Sequence, residues 1–455
     1  MRLLGLLAII VIGLLVTVAE PLAPSVDLAA PPAVVGAATP LTLVARDRGT
    51  GLAAVEVRVV PQGAEPVVVA RQEYPRTSWY GSGVHEATLT PVLDVAKSHL
   101  PEGPATLEVW VRDHSWLAFL HRHAAVEQPI TIDVTPPTLE VLSTQHVARL
   151  GGTECLVYRV SADAITSGVQ VGDLFFPGQE GVFADPTIRA ALFALPESQP
   201  GATVSAVAKD RAGNQRTASF DLVVKPRKFA DKTLTIDDDF LRRKVPDLLR
   251  ENGLDASGDL VEGYLRVNRE LRQKTEVRVR DACRASDTAT YWEGGLLRMP
   301  NAAPLSGFAD RRTYIHDGTV IDHQTHLGFD LASLKGAPVP AAAAGRVVFV
   351  GSLGIYGTTV ILDHGLGLFT LYGHLSSTNV ANGATVARGD VIGKTGETGL
   401  AGGDHLHFSV MVHGIHVDPV EWWDPHWIQD HVEARLAAYP RATAAGAAPQ
   451  PDKPS

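Results

Sequence analysis

Gly403-Asp404-His405-Leu406-His407-Phe408-Ser409-Val410-Met411-Val412 reads as a β-strand running out of a glycine turn. Side chains at i and i+2 of a strand share a face. His405 and His407 therefore enter one site while Leu406 packs behind them. The alternation leaves open which of the two imidazoles would hold an ion. Two more spacings join this one. In His326-Leu327-Gly328-Phe329-Asp330 an imidazole and a carboxylate four positions apart reach one ion if the chain turns at Gly328. Leu371-Tyr372-Gly373-His374-Leu375-Ser376 ends the apolar run Leu368–Tyr372 on a histidine. Ten of the seventeen histidines fall between His316 and His426. Catalytic zinc takes three N/O protein ligands and keeps a place for water, and it lowers the pKa of that water to about 7. Two histidines and one aspartate supply such a set. Two further imidazoles can accept a proton and steady an oxyanion.

These pieces, in this order, resemble the LytM/lysostaphin-type zinc metallopeptidases. The likeness extends through the spacers Pro338–Val348, Tyr356–Gly365 and Gly389–Gly396 and covers about residues 301–425. It implies that His326, Asp330 and His407 are the metal ligands and that His374 and His405 are non-ligand active-site histidines. It also implies Zn2+ as cofactor, a compact antiparallel β-domain with a groove for extended peptide, and peptidoglycan peptides as substrate. One departure is Thr398-Gly399-Leu400-Ala401-Gly402-Gly403-Asp404 before His-x-His, where Asp404 brings a charge beside His405. Arg311 and Arg312, in the run Ser306–Tyr314, are each either a surface ion pair or a clamp for a substrate carboxylate. Relatives of this fold that have lost ligands act as non-enzymatic regulators. All five residues are present here, which favours a zinc metalloendopeptidase. His323, His364, His413 and His416 read as surface or turn residues. His85-Glu86 lacks a second histidine at Leu89, so it is no zincin helix. The glycines at 351, 354 and 357 lack the Lys-Ser/Thr of a phosphate loop.

Outward from this region the expected fold class is mainly β. Residues 21–135 carry short β-branched runs, such as Val55–Val60 and Ala105–Val111, punctuated by Gly, Pro and Asp. Thr135-Pro136-Pro137 marks a boundary. Residues 136–226 end with Asp210-Arg211-Ala212-Gly213-Asn214 and a final strand, a turn that resembles bacterial immunoglobulin-like modules. Ala45–Gly51 is a looser echo of it. Two immunoglobulin-like β-sandwiches are expected. Residues 227–300 read as a helical linker: Phe240, Leu241, Val245, Leu248 and Leu249 form a stripe, Asp237–Asp239 suit a helix start and Gly253 a stop. A second helix is expected over roughly Leu260–Gln273. Within residues 426–455, Ile428, Val432 and Leu436 predict a short amphipathic helix, and Arg441–Ser455 a disordered tail.

Leu3–Ala19 is uncharged and follows Arg2. Residues 1–20 are read as a signal-anchor in the cytoplasmic membrane, or as a cleaved signal peptide; both readings export the remainder. A net charge of −10 argues against nucleic acid as a partner. Protein regulators are a possible class of partner. Cys155 and Cys283 lie far apart and make no disulfide ladder.

Overall fold

The computed structural model describes residues 23–79, 81–116 and 125–442. The proposed anchor at residues 1–20 and nearly all of the expected disordered tail lie outside them. Among the described residues no helix is long and apolar enough to cross a membrane. The chain is mainly β and divides into two compact units: residues up to Pro137 with short segments at 163–165 and 209–216, and the remainder.

In the first unit a five-stranded sheet has the order Val34–Val35, Val126–Ile132, Gly103–Asp113, Leu52–Pro61, Val67–Glu73. A three-stranded sheet holds Ser25–Ala29, Thr42–Arg46 and Glu86–Leu89. Alternation along the central strands buries Val55, Val57 and Val59 with Leu107, Val109 and Val111, and Leu43 and Ala45 of the smaller sheet join the same core. Asp47 holds the following loop, accepting from the backbone N–H of Gly49 and Gly51 at 3.1 and 2.6 Å.

A second β module spans residues 138–225, most of it in the second unit, with 163–165 and 209–216 grouped with the first. One sheet there pairs Leu139–Val141, Thr153–Val160 and Ile188–Ala194; another has the order Leu174–Pro177, Ala164–Val171, Val204–Asp210, Gln215–Ala218. Asp210 repeats the role of Asp47, accepting from Asn214 N–H at 2.9 Å.

The stretch expected to be a helical linker is helical only in its middle. Asp231–Thr235 is a strand, paired in parallel with Arg311–His316, because Thr233, Leu234 and Thr235 suit an extended chain. Asp237 then caps the helix Asp238–Glu251 by accepting from Phe240 N–H at 2.7 Å. Leu241, Val245, Leu248 and Leu249 are its buried stripe. The second helical stretch runs past Gln273, from Leu260 to Ala282, through a π-helical turn at Val267–Leu271. Residues 284–302 contain no helix.

These helices share one core with the β-domain that follows. Leu241, Leu249, Tyr264, Val267, Leu271 and Val279 pack with Ile355, Tyr356, Ile361, Phe369, Leu371 and Met411. Burying each of these large apolar side chains contributes about 1.5–3 kcal/mol, so the segment is an integral layer of that domain. Its main sheet has the order Ala303–Ser306, Phe329–Ala332, Leu406–Val412, Leu368–Gly373, Thr358–Asp363, Gly345–Ser352, Thr385–Val386.

Helical structure returns at Pro419–Trp423 and continues over Pro425–Ala437, burying Ile428, Val432 and Leu436. Arg441 and Ala442, expected in the disordered tail, instead pair with Phe183 and Val182. Cys155 and Cys283 are buried free thiols.

Candidate metal centre and active site

Sheet order explains how three distant motifs meet. Phe329–Ala332, Leu406–Val412 and Leu368–Gly373 are consecutive strands. Asp330 and His407 are direct cross-strand partners, and Gly373 faces His407 from the other side. Side chains so paired start about 5 Å apart. His326 lies just ahead of the Asp330 strand. Its Nε2 is 3.0 Å from Asp330 Oδ1 and 3.1 Å from His407 Nδ1, and His407 Nδ1 is 3.0 Å from Asp330 Oδ1. These three are the residues whose ligand atoms gather tightly enough to share a metal ion among the described residues.

The outward nitrogens decide what the inward ones can do. His326 Nδ1–H donates to Gly307 O at 2.9 Å, which leaves Nε2 a lone pair. Ser409 Oγ–H donates to Leu327 O at 2.8 Å, so it accepts from His407 Nε2–H at 3.0 Å, and Nδ1 of His407 is left a lone pair. The third inward atom is a carboxylate oxygen. Three acceptors within about 3 Å of one another repel unless a cation lies among them. Tetrahedral ligands at about 2.1 Å stand roughly 3.4 Å apart, so the donor set and its spacing fit a divalent ion. Outer partners of this kind orient ligand histidines. Burial works against the charge of Asp330, but the imidazoles of His326, His405 and His407 outweigh it and hold the carboxyl well below its ordinary range. Burial pushes His407 down to about 4.

The chain bends at Gly328, as expected from the His-x-x-x-Asp spacing. Its φ is not positive; what it supplies is space. A Cβ there would meet the His407 ring at 2.4 Å and Ser409 Oγ at 2.7 Å.

His374 and His405 stand beside the trio. His374 Nδ1–H donates to Thr398 O and His405 Nδ1–H to Gly403 O, both at 2.8 Å, so each presents Nε2 inward. Their ring centroids are 4.8 Å apart, and His405 Nε2 is 3.5 Å from Asp330 Oδ1. His374 adopts φ +62°, a conformation that is uncommon for residues other than glycine and clusters at functional sites. Burial holds His374 well below its usual range. For His405 burial acts the same way, and the hydrogen bond and charge of Asp330 overcome it, leaving the group raised.

Several residues around the site were not singled out from sequence. Ser409 was findable, since i+2 from His407 shares its face. Tyr356 lies against the His407 ring, with centroids 4.8 Å apart. Its hydroxyl donates to Glu276 Oε1 at 2.9 Å, and Glu276 Oε2 accepts from His416 Nε2 at 3.0 Å. Nothing local marks Glu276, eighty residues before Tyr356. His416 and His364, read as surface or turn positions, are both buried. His416 sits on the strand Ile415–Val417, with its ring facing Tyr356 and Glu276. Of the two arginines left open, Arg312 faces the site and donates to Asp330 Oδ2 at 2.8 Å, while Arg311 is exposed. Asp404 turns its charge away from His405: Oδ1 accepts from Thr395 Oγ at 2.6 Å and Oδ2 from Gly336 N–H at 3.2 Å.

The five residues line a cavity of about 580 Å3. Its far wall is the preceding segment, through Leu234–Asp237, Phe240 and Arg243. The helical segment walls one side of this cavity and the sheet with its metal-type donor set the other.

Residues 324–419 match the model of peptidase family M23. The chain thus carries a LytM-type domain of that family. The DD-carboxypeptidase/endopeptidase Mpg of Neisseria meningitidis is 44% identical over 95 residues, 21% of this chain and 22% of that protein. The peptidoglycan DD-endopeptidase ShyB of Vibrio cholerae is 35% identical over 116 residues, 26% of each. The chain spans about a quarter or less of the length of these curated relatives. A solved zinc containing peptidase from Vibrio cholerae is 31% identical over 28% of this chain and 40% of that one, at a TM-score of 0.25.

Proposed function

We propose that this protein is a zinc-dependent endopeptidase that hydrolyses peptide cross-links of peptidoglycan. The observation that carries the reading is the donor set: two imidazole lone pairs and one carboxylate oxygen, 3.0–3.1 Å apart and fixed from outside. In this reading His326, Asp330 and His407 hold zinc, which supplies Lewis acidity toward the scissile carbonyl and the attacking water. His374 and His405 share the proton chemistry. An Nε2 lone pair takes the proton of the water, and a protonated Nε2 donates to the oxyanion as it forms and then to the leaving amine. Their tied Nδ1 atoms hold both rings at the required angle. Arg312 donates to Asp330 Oδ2 and fixes its orientation.

The relatives named for peptidoglycan support the substrate. The remaining architecture belongs to the same proposal: immunoglobulin-like sandwiches at 21–135 and 136–226, a linker at 227–300 that braces the peptidase domain at 301–425, and an extracytoplasmic location with residues 1–20 as anchor or signal. The shared Asp turns at Asp47 and Asp210 support a kinship of the two sandwiches.

The test is digestion of purified sacculi by the chain lacking residues 1–20, followed by mass spectrometry of the released peptides. Cross-linked fragments should fall to monomers, chelator should stop the reaction, and added zinc should restore it. Intact cross-links with zinc-loaded protein would overturn the reading.

A further inference from the structure

The cavity holds charges that the reaction does not use. Three carboxylates line it, and each is engaged. Asp330 faces the histidines and Arg312, Asp404 accepts from Thr395 and Gly336, and Asp237 caps a helix. Three arginines line it as well, and only Arg312 is paired with a carboxylate. Arg243 uses its Nε on Asp239 O at 3.3 Å. Arg272 uses Nε and one Nη on Asn268, at 3.2 and 2.7 Å. Neither forms an ion pair among the described residues. Glu276 lies near enough to feel the charge of Arg272, but its two oxygens are occupied by Tyr356 and His416. A guanidinium has five N–H donors, so both arginines present unused donors to the cavity.

Both come from the helical segment that precedes the family match, Arg243 on Asp238–Glu251 and Arg272 at the start of Arg272–Ala282. We propose that Arg243 and Arg272 form a carboxylate-recognising wall, which holds a free carboxylate of the substrate peptide while the scissile bond lies over the histidines. The proposal rests on the peptidase reading of the site and adds its specificity: acidic peptides with a free carboxylate over their amides. Neither positive group is matched by a protein carboxylate, in a chain of net charge −10, and each keeps N–H donors beyond its bonds to Asp239 O and Asn268; guanidinium–carboxylate pairing is strong and directional.

The experiment uses the zinc-loaded chain from residue 21 onward. Calorimetry measures binding of the stem tripeptide L-Ala–γ-D-Glu–L-Lys and of the same peptide with its carboxylates amidated. The acid should bind about 10–100-fold more tightly, the range of one or two charge-assisted hydrogen bonds. Equal affinity, or binding of neither peptide, overturns the proposal without any variant. Arg243→Gln and Arg272→Gln should each shrink the acid-to-amide ratio, and Arg→Lys should restore part of it. A ratio that survives both Gln variants, with zinc content and melting temperature unchanged, also overturns it. The peptidase reading fails separately: a chain that prefers the acid but cleaves no sacculi keeps the wall and loses the enzyme.

Discussion

His364 and His407 are both buried at the same main sheet, yet they face opposite situations. His364 has both nitrogens matched by neutral groups, Nδ1 with Ala344 O and Nε2 with Thr370 Oγ, each at 2.7 Å. His407 is matched only on its outward side; inward it meets another imidazole and a carboxylate. His374 is intermediate, tied at Nδ1 and open to the cavity at Nε2. Burial alone therefore does not separate a structural histidine from a functional one. The partner of the second nitrogen does. A histidine whose two nitrogens are satisfied by neutral groups contributes to the fold, and one that faces further acceptors is placed to share a cation.

The sharpest way to break this comparison is His326→Ala. It removes one of the three proposed ligands, so zinc content and sacculus cleavage should vanish together. His374→Ala should keep zinc and lower turnover by about 10²–10⁴-fold, the usual share of acid–base catalysis; loss of zinc there would make His374 a ligand. His364→Ala should do the reverse of His326→Ala. Zinc is retained, and urea unfolding should show a loss of about 3 kcal/mol from the cavity and the unpaired Thr370 and Ala344 groups.

The same histidine sets a pH dependence. Burial lowers His364 to about 4, below its ordinary value, so the unfolded chain binds the proton more readily. Stability is full above about pH 6.5 and falls toward pH 4, by about 1.4 kcal/mol per unit for each such group. His146 and His413, also about 4, act in the same direction. His364→Gln should flatten the slope by one proton's share in unfolding titrations. Ser409→Ala is expected to give the smallest effect. It frees His407 Nε2 and should weaken zinc about 10-fold, read by competition with a chromophoric chelator.

Much of the site was legible because strand periodicity is local. His405 and His407 share a face by their spacing, and Asp330 follows His326 at a reach that one ion can bridge. The helix stripe from Leu241 to Leu249 and its Asp237 cap were legible for the same reason. The contacts that complete the site are not local. Glu276 reaches Tyr356 from another layer, Arg312 rather than Arg311 turns inward only through strand pairing, and Asp231–Thr235 becomes a strand because Arg311–His316 offers it an edge. Gly328 shows the limit in one residue: its place between two ligands was visible, but the ring that needs its missing side chain arrives from position 407.

The shared core of helices and sheet also sets where this protein can be cut. A fragment beginning at the edge of the family match would leave Phe369, Leu371 and Met411 facing water, and it would lose one bank of the cleft. A fragment that keeps this shared core starts at the Asp231 strand. Trimming to the recognisable motif alone should yield a sticky, poorly soluble protein, whatever its zinc ligands.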